Sequence, residues 1–553
     1  ITTVFISYLR SMLQKLVGCF FGVLFATISC SKEERDFDDS QVFRYNEHAN
    51  VTTLDPAFSK DLRTIWATSQ LFNGLVQLND SLQVLPDIAK SWKISENGLE
   101  YTFFLREDVF FHRHELFGTE KTRNVTASDF EYSFRRLKDP KIASPGKWVL
   151  NYVASFEAVE SSIFKIRLKQ AFPPFLNLLS MKYCAVVPQE AVSFFGDEFR
   201  SNPIGTGPFQ FKLWVENTRL VFRKNPLYYE KDIHGNRLPY MEAVSISFLP
   251  DKQSEFLQFV QGNIDFLNSI DVSYKDDLLT QEGTLQARYA EEINLISSPF
   301  LNTEYLGFCL DQTKEKAVHS KKIRQAINYG FDRQKMILYL RNGIGTPALH
   351  GFIPKGLPSF CNEPGYAYNP EKSRQLVQSY VEETGDENPV VTINTDHQYV
   401  DLCTYMQRAL EKVGLTVNVN VMPPSALRQA KVNGQLSTYR GSWIADYPDA
   451  ENYLFIFHSD YFSPNGPNYT HFENKKFDSL YVAANQLTVA KQRHLLYQKM
   501  DRILIEEAPV VPLYYDVALR FTRKNIKNLG INPINHLHLK HVQKLKTTVL
   551  KKK

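Results

Sequence analysis

The 553-residue chain has few cysteines: Cys19, Cys30, Cys184, Cys309, Cys361 and Cys403. No two of them stand in a CxxC spacing, so a zinc ribbon or a thioredoxin-like motif is absent. Glycine (25) and proline (27) are not in excess, and with 43% apolar residues this excludes collagen-like and disordered chains. A surplus of either charge is also missing. Lys plus Arg number 64 against 60 Asp plus Glu, a formal +4, which gives no reason to expect nucleic acid as a partner. Even that excess sits at the ends. Arg10 and Lys15 stand in an acid-free leader, and six lysines stand in an acid-free 540–553. An enzyme of this size should show a catalytic constellation, yet there is no GxSxG elbow, Walker loop or HExxH. At about 150 residues per domain the length suggests three or four units.

What the leader does contain decides the compartment. Residues 16–28 form an apolar run of 13, preceded by Arg10 and Lys15. Such a run is too short to cross roughly 30 Å of hydrocarbon as a permanent helix. It reads as the h-region of a signal peptide over residues 1–29. Thr27-Ile28-Ser29-Cys30 resembles a bacterial lipobox, with Thr27 where leucine is commonest, so Cys30 is the expected lipidation site. Met12, ahead of Lys15, is the expected initiator. With Cys19 and Cys30 set aside, the four remaining cysteines could pair in three ways or stand as isolated buried thiols, and the second is the reading preferred here.

Strand and helix patterns alternate along the body. Tyr101, Phe103 and Leu105 alternate with polar or exposed positions, as do Phe164, Ile166 and Leu168, and Val244, Ile246 and Phe248: half-buried strands. Thr126 with Asp129 makes a capping box before the helical stripe Phe130, Phe134 and Leu137. Val390 to Asn394, then the stripe Tyr399, Leu402, Met406, Leu410 and Val413, then Leu415 to Val421 reads as a β-α-β crossover. Leu496, Met500, Ile503 and Leu504 mark a helix stopped by Pro509, ahead of the apolar strand Val510 to Tyr515. The fold class is α/β with mixed sheets.

Three features could carry chemistry, and each has a plainer explanation. His112-Arg113-His114-Glu115 offers two imidazoles two apart, but a third ligand is lacking and a solvent loop explains them better. His536, His538 and His541 read as exposed residues on an edge strand. The terminal lysines, ending Lys551-Lys552-Lys553, could touch anionic lipid, although a frayed solvated terminus is the simpler reading. The 40 Phe and 28 Tyr exceed what a core alone suggests and suit the walls of a large ligand cleft.

A family pattern runs through the body. Ala89-Lys90-Ser91-Trp92, Asn97 to Arg106, Val109 to His112, and Thr126-Ala127-Ser128-Asp129-Phe130 with Ser133 and Arg136 resemble the signature of the family 5 solute-binding proteins. These are the peptide, dipeptide and nickel binders of bacterial ABC importers, and the oligopeptide-binding members are the most similar. The likeness continues through Gly205-Thr206-Gly207-Pro208-Phe209, Arg223 to Tyr229, Ile323 to Asn328 with Asp332-Arg333, Trp443-Ile444-Ala445-Asp446-Tyr447 and Pro509 to Tyr515. It implies a two-lobed periplasmic-binding-protein-like fold of the class II, cluster C type with an extra inserted domain. The implied division is 36–73, 201–307 and 513–543 for domain I, 74–200 for domain II, 308–512 for domain III, and 544–553 as a basic tail.

The resemblance further implies no enzymatic activity, no cofactor and no metal. It implies an oligopeptide ligand, permease and ATPase partner subunits, no nucleic acid, and a monomer in the periplasm held to a membrane by lipid on Cys30. The same scaffold binding a nickel chelate, haem, glutathione or a cell-wall peptide is the alternative, and a metal-dependent hydrolase a more distant one. Asp446 falls where the family's Trp-x-x-Asp motif pairs with a peptide α-ammonium. Trp443 and Trp148 fall at pocket walls, with Tyr514 and Tyr515 facing the cleft. Arg440, Lys431 and His397 are the candidates for the peptide carboxylate. The chain departs from the pattern at Lys60, where a carboxylate is usual, at Gly146, where a contacting tyrosine is usual, and at Pro424, where a tryptophan is usual.

Overall fold

The alternating residues build strands with one dry face. In Glu100–Leu105, Tyr101, Phe103 and Leu105 are buried, and in Ile163–Leu168 the same holds for Phe164, Ile166 and Leu168. The structure is a computed structural model that describes residues 41–271, 274–311 and 315–546. The leader with Cys30 and Met12, and the lysines 551–553, lie outside the described residues. Among the described residues no helix is long and apolar enough to cross a membrane.

One large mixed sheet organises the chain. Its order is Thr416–Val421, Val390–Thr395, Thr438–Ile444, Ile293–Phe308, Val510–Arg523, Phe266–Asn268, Val42–Glu47, Ala243–Phe248, Arg219–Lys224 and Phe209–Val215. Val390–Thr395 pairs in parallel with Thr416–Val421, from Val390 opposite Thr416 to Thr395 opposite Val421, and the helix Val400–Glu411 connects them. That is the crossover expected from the sequence. The two long strands, Ile293–Phe308 and Val510–Arg523, run antiparallel through the middle, with a register shift between Pro299 and Thr303. Ile293 and Phe521 pack into one apolar cluster with Phe259, while Leu306, Phe308 and Val511 pack into another with Ile327 and Leu410. Each long strand thus belongs to both halves of the molecule, the geometry of a hinge.

A separate antiparallel sheet, Ala89–Ile94, Glu100–Leu105, Ile163–Leu168 and Val153–Glu160, packs with the helix Ala127–Lys138. The capping box Thr126 with Asp129 is formed. The signature residues prove to be joints. Arg136 reaches back from that helix to Asp55, in a buried ion pair with a 2.9 Å bond to Oδ1, while Asp55 also accepts from the Ala57 amide at 3.0 Å. Arg333, 1% exposed, donates to the carbonyls of Pro512 and Asn328, each at 2.7 Å. Each arginine bonds groups on another segment of the chain, so these positions hold elements together.

Three expectations are corrected. His112 is not in solvent: it is 3% exposed, its Nδ1 accepts from the Gly205 amide at 3.2 Å and its Nε2 donates to the Gly207 carbonyl at 3.1 Å. Burial lowers it to about 4, so the ring is neutral and both nitrogens are occupied. His536 and His538 are half-buried in an irregular segment and not on an edge strand; only His541 is exposed. Burial first, then neighbouring cations, pulls His536 down to about 3. The acid-free stretch that begins at Lys540 is folded at its start: Lys540 pairs with Glu230 at 2.7 Å and Lys544, the first residue of the basic tail, with Asp265 at 2.9 Å. Cys184, Cys361 and Cys403 are free thiols, and the buried Cys309 donates its Sγ to Asp311 Oδ1 at 3.3 Å.

Candidate functional site

The strand Thr438–Ile444 ends at the motif Trp443-Ile444-Ala445-Asp446-Tyr447. A single amide fixes this turn: Asn452 Oδ1 accepts from the Trp443 indole at 3.2 Å and from the Asp446 backbone amide at 3.1 Å. Sequence reasoning missed Asn452, although its place nine residues after Trp443 puts it on the first turn of the helix Glu451–Leu454. Asp446 retains exposed surface, yet protein atoms crowd it elsewhere and raise its carboxyl above the ordinary range, opposed by the Asn452 amide. No cation pairs with Asp446 among the described residues. Such a carboxylate favours an incoming ammonium.

Two further rings bear on this motif. Tyr183 is raised to about 12 by burial first, then by the charges of Asp446 and Asp61. The Trp148 ring lies 6.4 Å from Tyr447, which is buried in the same cluster as the small antiparallel sheet. Asp446 and Trp443 thus share Asn452, while Trp148 stands beside Tyr447, the residue after Asp446.

The basic candidates separate. Arg440 is already neutralised: it is paired with the buried Glu304, lies 3.9 Å from Asp396, and its guanidinium sits 3.2 Å from the Tyr399 ring centre. Beside it Arg341 pairs with Asp516 at 3.1 Å, and Asn302 bonds both Glu304 at 3.0 Å and Asp516 at 3.4 Å. Lys431 has no acidic partner among the described residues; its ammonium lies 4.4 Å from the Tyr469 ring and 5.7 Å from that of Tyr439. Burial, then Arg440 and Arg428, lowers it to about 8. His397 is exposed on the turn His397–Tyr399, which Asp396 caps.

Tyr514 and Tyr515 do not face the cleft, since each is 1% exposed. Tyr515 donates to the Gly351 carbonyl at 2.8 Å, and Tyr514 packs beneath Arg341 at 4.3 Å. Their alternation carries both rings into the core of a central strand. Lys60 is exposed, and Pro424 opens the helix Pro424–Val432.

A mixed sheet running through a pair of long strands that serve two apolar cores, with a smaller antiparallel sheet beside it, is the two-lobed periplasmic-binding-protein-like fold. Residues 83–465 match the family model described as bacterial extracellular solute-binding proteins, family 5, middle region, and the chain belongs to that family. Its members serve ABC importers as the substrate-binding component. The glutathione-binding protein GsiB of Salmonella typhi is 23% identical over 497 residues, 88% of this chain and 91% of that protein. HbpA2 of Haemophilus parasuis has a TM-score of 0.79 at 22% identity, over 91% of this chain and 100% of that one. DppA of Helicobacter pylori, solved with the peptide STSA, has a TM-score of 0.73 at 22% identity, over 91% and 98%. At these identities the two structures establish the fold.

Proposed function

We propose that this protein captures oligopeptides outside the cytoplasm and presents them, closed, to the permease of an ABC importer whose ATPase subunits power uptake. The observation that carries the reading is Asp446: a carboxylate that retains exposed surface, raised by the protein atoms around it, without a cation partner among the described residues, and joined to Trp443 through Asn452. A peptide α-ammonium supplies the missing charge, and closure about the two long strands would remove the remaining water. Lys431, rather than Arg440, is the cation left for a ligand carboxylate. The protein acts as a monomer, divided into the three domains given above, and is held to the membrane by lipid on Cys30.

The test is calorimetry with tri-alanine on the native chain and on Asp446→Asn. Binding that falls by two orders of magnitude or more, about 2.7 kcal/mol, supports the ammonium assignment. Unchanged affinity ends it. Glutathione belongs in the same titration, because a relative is named for binding it and it too is a peptide with a free ammonium. Mass spectrometry of co-purified ligand identifies the solute. Retention of a Cys30→Ser variant at the membrane would refute the lipid anchor.

A further inference from the structure

The parallel strands Val42–Glu47 and Phe266–Asn268 end at a cavity of about 240 Å³. Its lining includes Glu47, His48, Asp61, Arg63, Lys252 and Glu255. Most of these charges are spent locally. Asp61 caps the helix Leu62–Leu71 through the Thr64 amide at 3.2 Å and lies 3.5 Å from Arg63. Glu255 accepts from Lys252 at 2.7 Å and from Asn46 at 3.2 Å. Glu47 is the odd acid. It is 8% exposed, it lines the cavity, and its carboxylate has no hydrogen-bond partner among the described residues.

Burial raises Glu47 to about 8; Arg63 and Lys252 oppose this, while Glu255 and Asp61 add to it. His48 is lowered by burial and by the same two cations, so it brings no charge at neutral pH. Three acids thus meet two cations, and the acid left over is the one without a bond. A buried carboxyl in this state gains most from a cation delivered into the cavity. Asp61 caps the helix Leu62–Leu71, which packs against the turn Lys182–Cys184 that carries Tyr183, and the charges of Asp61 and Asp446 both raise that tyrosine. Leu62 and Trp66, also in the lining, offer apolar surface to an alkyl stem.

We propose that Glu47, with Asp61 in the same cavity, is a cation subsite additional to Asp446, taking the ammonium or guanidinium of a basic side chain, so that the preferred solute carries two positive centres. The inference rests on the reading of Asp446 as part of the ligand site. Calorimetry with tri-lysine and tri-norleucine, equal in stem but not in charge, tests it. Tri-lysine should bind about ten-fold tighter, and Glu47→Gln should bring the two within about three-fold while leaving tri-norleucine unchanged. An equal affinity in the native chain, or a lysine preference that survives Glu47→Gln, overturns the proposal. Should that variant not fold, Asp61→Asn, which keeps a capping side chain, is read instead: a reduced preference supports the subsite and an unchanged one overturns it. If neither tripeptide binds, the peptide reading has failed, and 1,5-diaminopentane decides the subsite alone. Heat of binding present in the native chain and absent in the variant supports it; identical traces refute it.

Discussion

A Cβ placed on Gly146 would lie 2.2 Å from Cγ and Cδ1 of Tyr183, so the glycine exists to admit that ring. That ring comes from another segment, the turn Lys182–Cys184. Gly146→Ala should force Tyr183 out of place, destabilising the chain by about 1–3 kcal/mol as an overpacking change does and weakening tri-alanine binding. Adding Tyr183→Ala should restore stability but not binding. Thermal unfolding and calorimetry on the single and double variants separate the two effects.

Arg440 and Lys431 should respond in opposite ways. Arg440→Met leaves Glu304 buried without its cation, a change worth about 3–5 kcal/mol of folding stability. Lys431→Met removes a cation that has no acid to abandon, so stability should change little while affinity for a free-carboxylate peptide falls. A peptide amide should then bind both the native chain and Lys431→Met alike. Equal loss of stability in the two variants would contradict the division of roles.

How far the sequence could be read follows from the kind of signal each part carries. The crossover Val390–Thr395, Val400–Glu411, Thr416–Val421 and the strand Glu100–Leu105 were legible because periodicity reports directly which face is dry. Trp443 and Asp446 were legible through a motif. Tyr183 and Glu47 were not, because nothing local distinguishes them and their partners lie tens or hundreds of residues away; Asn452, only six and nine residues from its partners, was missed because an asparagine at a helix start carries no motif of its own. Tyr514 and Tyr515 misled for the related reason that a motif does not say which rings a buried central strand keeps. His112 misled because its partners, Gly205 and Gly207, lie on a segment whose approach requires the absence of a Cβ: on Gly205 one would lie 2.0 Å from the Leu71 carbonyl oxygen.

The pH dependence of folding follows from three buried carboxyls. Burial raises Glu47 to about 8, Glu451 to about 7 and Asp501 to about 7. Glu451 is held between the hydroxyls of Tyr447 and Tyr481, and Asp501 accepts from the Phe352 amide at 2.7 Å. An acid whose folded pKa exceeds its unfolded value binds more protons when folded, so its contribution is lost as pH rises through the folded value. The buried imidazoles of His112 and His536, lowered to about 4 and about 3, act in the opposite sense, but only below about 6.5, where an unfolded histidine takes up its proton. Between pH 6.5 and 8 the carboxyls act without that opposition. The unfolding midpoint in denaturant should therefore fall across this interval, each unit of raised pKa being worth about 1.4 kcal/mol. Glu451→Gln keeps the site polar and removes one of the three ionisations, so its slope should be shallower than that of the native chain. A midpoint that rises from pH 6.5 to 8, or a Glu451→Gln slope equal to the native one, would show that these carboxyls are not protonated in the folded state.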